Sequence, residues 1–396
     1  MQTSIQLCKF MGIPIRLHFT FLFIFFAIIF SFANWPQTET TRIPLGLGGL
    51  ELSLVMRYSL STIAAVLFFF TLLLHEMAHS FVAMRFGTKI HSITLFFFGG
   101  LAMMEDIPKS PDKEWRIAIA GPLMSLALGG LFFLIYLGLK ALDPTNYRSV
   151  AILVLTIGLL NGALAVFNLL PAFPMDGGRI LRALLAKRMS FLKATKRAAL
   201  IGKLFAFALV IMGFSRDPFT FILTGKWSSN LWLPLLAIFL FMAATEEERA
   251  TDTFATLEGI KVRDVMRTER ATVPEDITLA ELVNAMLADK ITEYAVVDAV
   301  GDIKGFVTLD AVKKIPNEQR YFLHVSDVMI PYDGPRDALL SDAPASEALK
   351  RMLSGKKSIL AVIEEAGGEL IGIITKKDLS IYIEMLRGGA GAIESR

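Results

Sequence analysis

The sequence predicts a polytopic α-helical membrane domain followed by an α/β domain that contains an internal repeat. Hydrophobic residues make up 54% of the 396 residues, and 31 are phenylalanine, which is too apolar for a wholly soluble protein. From about Glu246 onward, the sequence is rich in Asp, Glu and Lys and in alternating Val and Ile. In this last third, Val262–Met266 (VRDVM) matches Val325–Met329 (VSDVM) at a spacing near 63 residues, which indicates a duplicated unit.

These composition changes place the domain boundary near residue 250. We expect a membrane domain over residues 1–250 and a soluble domain over 251–396, with repeats at about 257–318 and 321–388. The net charge of +3 is small and spread along the chain, which argues against a nucleic-acid partner. The single cysteine, Cys8, excludes an internal disulfide.

Six apolar runs in the first domain are interpreted as membrane spans. A helix rises about 1.5 Å per residue and must cross a hydrocarbon layer of about 30 Å. Trp35 and Pro36 end the first run, and Trp232 marks the interface at which the sixth begins. The third opens with small residues that permit close helix approach. The predicted spans are residues 18–34, 59–84, 116–139, 150–170, 199–214 and 230–245.

A short β segment is predicted between the second and third spans. Residues 88–104 are rich in β-branched and aromatic side chains and too short for a spanning helix, so we expect strands with a turn at Gly99 and Gly100. Strand edges cannot face lipid, so the segment must lie against protein or line a wet cavity. Its role is either a clamp for an extended substrate or a structural hairpin that plugs the helix bundle.

The second span carries a metal-site motif, His75-Glu76-Met77-Ala78-His79. Residues i and i+4 share one helix face, so both imidazoles can reach a single zinc ion, with Glu76 beside its open position. This is the arrangement of a zinc hydrolase with a glutamate base. The motif also occurs by chance in long helices. However, residues 60–82 contain no Lys or Arg, and ionisable groups at membrane depth usually mark a functional site.

A second polar cluster follows the fourth span. Pro171 and Pro174 break the helix, and Asp176 precedes a glycine pair, where it could simply cap the next helix, 180–186. His18, at the start of the first span, is interpreted as an interfacial polar group. His91 is interpreted as a polar strand residue.

The distribution of basic residues predicts the orientation. With the N-terminus inside, the inner segments hold fourteen Lys and Arg and the outer loops hold six, in agreement with the positive-inside rule. This arrangement places the N-terminus and the soluble domain in the cytoplasm of a cell-membrane protein. It also brings His75, His79 and Asp176 to a similar depth in the cytoplasmic half, which favours a shared metal site.

Each repeat of the soluble domain predicts the same order of elements. A helix (279–288 and 345–353) is followed by a strand (294–298 and 360–363), and then by a second strand with a short helix (305–310 and 372–378). Such duplicated units pair face to face and leave clefts between them.

Two motifs together carry a family resemblance. His75-Glu76-xx-His79, combined with Asn168-xx-Pro171-xxxx-Asp176-Gly-Gly, resembles the site-2 protease family of intramembrane zinc metalloproteases. The resemblance implies that His75, His79 and Asp176 hold one zinc, that Glu76 activates the water, and that Asn168 positions substrate or stabilises the oxyanion. The whole chain looks like the branch of this family that lacks a PDZ domain.

The duplicated domain resembles a tandem of cystathionine β-synthase (CBS) modules. In that family, a Gly, two apolar residues, Thr or Ser, two residues and Asp bind the ribose of an adenine nucleotide. Gly372-Ile-Ile-Thr375-Lys-Lys-Asp378 fits this pattern, which implies that Thr375 and Asp378 contact ATP or AMP. In the first module, Asp310 comes one residue early after Thr308.

The expected function is therefore hydrolysis of peptide bonds in or near transmembrane segments of protein substrates in the lipid bilayer. The alternative is a transporter or channel that uses the histidines and Asp176 as an ion path and is gated by the CBS tandem. That alternative does not explain a glutamate inside an i, i+4 histidine pair. The tandem itself either binds adenine nucleotide or joins two copies in a homodimer.

Overall fold

The computed structural model describes residues 4–35, 46–48, 50–96, 99–104, 110–143, 145–215, 221, 225, 227, 229–268, 272–355, 357–364 and 370–393. The chain divides into two compact units, Met1–Thr251 and Asp252–Arg396. Each unit is described by itself.

The first unit is mostly helical. In its described part the helices are α1 (Phe21–Asn34), α2 (Leu54–Arg85), α3 (Pro111–Leu142), α4 (Arg148–Asn168), α5 (Asp176–Ala186), α6 (Phe191–Ser215) and α7 (Trp232–Thr256), the last of which runs past the unit boundary.

A helix lies at each of the six predicted spans, but the helices differ in length. Among the described residues, α2, α3, α4 and α6 are long and apolar enough to cross a membrane. Helix α1 has 14 residues, about 21 Å at 1.5 Å per residue, which is shorter than the hydrocarbon layer. Helix α7 becomes charged at Glu246. The chain is a multi-pass membrane protein, with four spans supported by length and composition.

The buried stripe of α2 directs the histidine pair inward. Its buried residues follow helical spacing of three and four, and they include Ala65, Leu72, His75, His79 and Ala83. Exposed apolar residues occupy the remaining surface of the helix, where they can contact lipid. The same periodicity that packs α2 against its neighbours therefore places both imidazoles inside the unit.

A four-stranded sheet accompanies the helices, in the order β1 (Ser4–Phe10), β2 (Ile13–His18), β3 (Ile90–Phe96), β4 (Gly99–Met104). Strands β2 and β3 pair in parallel, and the other neighbours are antiparallel. The predicted strands over 88–104 are therefore present. The turn is not at Gly99 and Gly100, because Phe96 pairs with Gly99 and the connection is residues 97 and 98, which lie outside the described residues.

The N-terminal hairpin was not predicted. His18, expected at the start of the first span, instead ends β2. The two connecting residues, Met11 and Gly12, have φ angles of 49° and 81°. Such positive angles match a two-residue hairpin turn, which a methionine does not signal in the sequence.

The second unit contains the expected repeat. One sheet has the order β5 (Thr272–Pro274), β6 (Glu293–Val297), β7 (Ile303–Thr308), β8 (Ile330–Pro331), and the other has the order β11 (Leu370–Thr375), β10 (Ile359–Ile363), β9 (Ala338–Leu340). The helices are α8 (Leu279–Asp289), α9 (Leu309–Lys313), α10 (Ala345–Gly355) and α11 (Lys376–Ile393). Predicted helices 279–288 and 345–353 end within two residues of the observed ones.

Candidate active site

Three side chains from two separate helices meet inside the first unit. The Nε2 atoms of His75 and His79 lie 3.2 Å apart. The Oδ2 atom of Asp176 lies 3.3 Å from the first and 3.1 Å from the second. Both histidines are buried, and Asp176 is half-buried. The structure thus brings together the three residues that the sequence placed at a common depth.

The triangle has the size that a zinc ion requires. Zinc binds imidazole nitrogen and carboxylate oxygen at about 2.0–2.1 Å, so tetrahedral ligand atoms are about 3.3–3.4 Å apart. The three separations of 3.1–3.3 Å agree with this value. Two nitrogens and one oxygen are also a suitable donor set for zinc, and three protein ligands leave a fourth position for water or substrate.

Contacts with α3 fix both imidazole rings. The Nδ1 atom of His79 lies 2.7 Å from the carbonyl oxygen of Ile117. A carbonyl only accepts hydrogen bonds, so Nδ1 carries the proton and Nε2 keeps its lone pair for a metal. The Nδ1 atom of His75 lies 2.9 Å from Oγ of Ser125, which is fully buried. In the sequence, Ser125 is only one of the small residues that open the third span, and nothing there marks it as a partner of His75.

Asp176 begins α5 but does not cap it. Met175 is the N-cap residue, and the helix starts at Asp176 rather than at residue 180. The Asp176 carboxylate contacts the two histidines instead. A carboxylate in the first turn is also favoured by the helix dipole, so α5 tolerates it at no cost to the helix. One turn later, the charge of Arg179 interacts with those of Asp176 and Glu76.

A buried arginine fixes the position of α5. The guanidinium of Arg182 lies between Phe173 and Phe191 and forms ion pairs with Glu114 on α3 and Glu247 on α7. Removing one partner of a buried ion pair costs about 3–5 kcal/mol, because the other charge is left without compensation. This network therefore holds α5, and with it Asp176, against α3.

Two glycines let the backbone approach the site closely. A Cβ atom added to Gly121 on α3 would lie 2.5 Å from Nε2 of His75 and 2.6 Å from Cε1 of His79. A Cβ atom added to Gly100 on β4 would lie 2.9 Å from Cδ of Glu76. The backbone of β4 thus covers the Glu76 side chain, and the backbone of α3 covers the imidazoles of His75 and His79.

Asn168, the residue expected at the oxyanion, and the two other histidines of the first unit, His18 and His91, are not in the triangle. Asn168 ends α4, and its Nδ2 donates to the carbonyl oxygen of Leu164 at 3.0 Å. The Nδ1 atom of His18 lies 2.8 Å from Oγ1 of Thr20. His91 is exposed on β3. Among the described residues, neither His18 nor His91 belongs to the possible metal site formed by His75, His79 and Asp176.

Thr375 and Asp378 lie together in the second unit, at the junction of β11 and α11. Asp378 Oδ2 accepts hydrogen bonds from the backbone N–H of Thr375 at 3.1 Å and from its Oγ1 at 2.7 Å. In the first module, Thr308 accepts from the N–H of Ala311, as Thr375 does from that of Asp378. Ala311 therefore occupies the position of Asp378, and the side chain of Asp310 is 91% exposed.

Two protein-family models match the chain, one in the first unit and one in the second. The model of peptidase family M50 matches residues 63–146 and 143–211, and the CBS domain model matches residues 262–317 and 325–384. A zinc metalloprotease of Methanocaldococcus jannaschii is 34% identical over 96% of both chains. The protein Rip3 of Mycobacterium tuberculosis is 32% identical over 98% of this chain and 94% of its own.

A solved structure is also similar. The site-2 protease from Methanocaldococcus jannaschii is 36% identical, with a TM-score of 0.42, over 62% of this chain and 95% of that chain. The identity of full-length relatives, together with the two family models, establishes the classification. The chain belongs to peptidase family M50, the site-2 protease family, and carries a C-terminal pair of CBS domains.

Proposed function

We propose that His75, His79 and Asp176 hold the catalytic zinc of an intramembrane metalloprotease and that Glu76 is its general base. The observation that carries this assignment is the triangle of 3.1–3.3 Å among the three ligand atoms, with His79 fixed in the metal-binding tautomer. Zinc and metalloendopeptidase activity are properties of the family to which the chain belongs. The substrate class is a transmembrane segment of another protein in the bilayer.

Glu76 and Asn168 have different roles in the proposed reaction. When bound, zinc supplies a Lewis acid that favours ionisation of water near pH 7 and polarises the peptide carbonyl. Glu76, next to His75 on α2, accepts the proton of the attacking water and delivers it to the leaving amine. One N–H of the Asn168 amide donates to the carbonyl oxygen of Leu164, and its second N–H donates to the oxyanion.

The free edge of β4 is the proposed substrate platform. Strand β4 ends the described sheet, and its backbone at Gly100 covers Glu76. A helical substrate hides its carbonyls in hydrogen bonds and must unwind before hydrolysis. An unwound segment can extend the sheet by pairing with β4, which would present its carbonyls beside the base. This favours the clamp over the plug among the two roles of the β segment.

The proposal includes the orientation of the chain in the membrane and the control of cleavage by nucleotide. The excess of basic residues in the inner segments supports a cytoplasmic N-terminus and a cytoplasmic CBS tandem in the cell membrane. Adenine nucleotide, bound at Thr375 and Asp378, controls the cleavage rate through its different affinity for two arrangements of the tandem. The alternative role of the tandem, to join two copies of the chain, predicts nucleotide-independent cleavage.

Metal removal tests the proposed function. We expect purified protein to carry about one zinc per chain, as three ligands and one open position require. Dialysis against a chelator should abolish cleavage of a transmembrane substrate in detergent, and added zinc should restore it. Elemental analysis and a gel-based cleavage assay measure the two quantities. An Asp176→Ala variant with full zinc content and full activity would contradict the assignment, and zinc-independent ion flux would favour the transporter.

Ser125→Ala is expected to weaken zinc binding by about 10- to 100-fold, the range found for partners that orient a ligating histidine. The change removes the hydroxyl that contacts His75 Nδ1 at 2.9 Å. Competition with a chelator of known affinity measures the dissociation constant. Ser125→Thr, which keeps the hydroxyl, should restore most of the affinity. Equal zinc affinity in Ser125→Ala and wild type would show that the contact does not orient the ligand.

A further inference from the structure

The two CBS modules differ at two pairs of equivalent positions. Arg267 follows the first repeated motif and Ile330 follows the second, 63 residues later. Asp378 and Ala311 are equivalent because each follows a capping threonine by three residues. In the folded chain Arg267 contacts Asp378, so these two positions hold an ion pair. The equivalent positions, Ile330 and Ala311, carry no charge.

The Asp378 carboxylate has no free acceptor site in this arrangement. Its Oδ1 accepts from Nε of Arg267 at 2.7 Å and also pairs with Nη2. Its Oδ2 accepts two hydrogen bonds from Thr375. Four donors fill about four lone-pair sites. The carboxylate is 8% exposed and the Arg267 side chain 30% exposed, so the arginine is the partner with room to move.

We infer that Arg267 acts as a latch on Asp378 and makes the cleft selective for phosphorylated nucleosides over neutral ones. This inference rests on the proposed nucleotide control and names the residue that sets its specificity. A ribose diol can donate to Asp378 only after Arg267 leaves. A neutral nucleoside then leaves the guanidinium without an anion, whereas a nucleoside phosphate supplies a new one, and guanidinium pairs strongly with phosphate.

Glu293 on β6 is a further acidic group near this ion pair. Burial raises the pKa of its carboxyl, and the charges of Asp378 and Arg267 shift that pKa in opposite directions. The ion pair in the structure is between Arg267 and Asp378, so an incoming phosphate competes with Asp378 for the guanidinium, and one phosphate group is enough to replace the lost carboxylate.

Calorimetry on the full-length protein in detergent tests the latch with ATP, AMP and adenosine. A charge-assisted hydrogen bond changes a binding constant by about 10- to 100-fold. We therefore expect wild type to bind AMP at least about tenfold more tightly than adenosine. Arg267→Gln should tighten adenosine and weaken AMP, so that their ratio falls below about threefold. Arg267→Lys should give an intermediate ratio, and Asp378→Ala should weaken all three ligands.

The matched control is Arg336→Gln, which removes a cation from an exposed pair with Asp333 in the same unit. It should leave the AMP to adenosine ratio at the wild-type value. Equal affinities in wild type, or an unchanged ratio in Arg267→Gln, would overturn the inference. So would the absence of binding by all three compounds. Because binding is read directly, these outcomes are separate from loss of zinc or of cleavage, which test the proposed protease.

Discussion

Glu76→Gln is expected to lower the cleavage rate by at least about 100-fold, the usual contribution of a general base, while the zinc content stays at the wild-type value. The substitution removes the proton acceptor but none of the three proposed ligands, His75, His79 and Asp176. Glutamine has nearly the same shape as glutamate, so it fits beneath the β4 backbone at Gly100. Turnover of a transmembrane substrate and elemental analysis of the same preparation measure the two effects.

The matched control for this change is Glu246→Gln, at an exposed position on α7 with a surface ion pair to Arg249. It removes one carboxylate from the same unit and should keep the wild-type rate, because exposed pairs contribute little. Residual activity of Glu76→Gln within about tenfold of wild type would contradict its role as the base. Loss of zinc along with activity would instead assign Glu76 a structural part in the site.

Gly121→Ala is expected to abolish zinc binding, and cleavage with it. The added Cβ would lie 2.5 Å from Nε2 of His75, which is closer than atoms can approach without a shift. The backbone of α3 cannot move away easily, since Ile117 and Ser125 on the same helix hold the two imidazoles. The metal-binding nitrogens must therefore be displaced. Elemental analysis measures zinc content, and thermal unfolding shows whether the variant is folded.

Gly138→Ala, on the same helix, is the control. An added Cβ there meets nothing within 4 Å, and alanine favours a helix by about 1 kcal/mol relative to glycine. This variant should retain full zinc content and unfold at the same temperature or higher. If Gly121→Ala bound zinc as tightly as wild type, the proposed position of the metal among His75, His79 and Asp176, beside Gly121, would be wrong.

The parts of this protein that depend on local periodicity can be predicted from its sequence. The i, i+4 spacing of His75 and His79 places both on one face of a helix wherever that helix packs. The change in composition near Glu246 separates the membrane helices from the repeat, because lipid and water select different residues. In the repeat, α8, α10, β6 and β10 lie within two residues of their predicted bounds, whereas α11 continues to Ile393, well beyond the predicted short helix. The N-terminal hairpin could not be predicted, because its turn contains Met11 rather than a typical turn residue.

Which distant residues complete the site depends on how the helices and strands pack together. Ser125 lies 50 residues from His75, and Arg267 lies 111 residues from Asp378, yet each pair is in contact. A serine among small residues, or an arginine after a repeated motif, has the same local pattern whether or not it meets such a partner. Helix packing alone brings Gly121 against the imidazoles, because the closeness of two backbones depends on all the side chains between them.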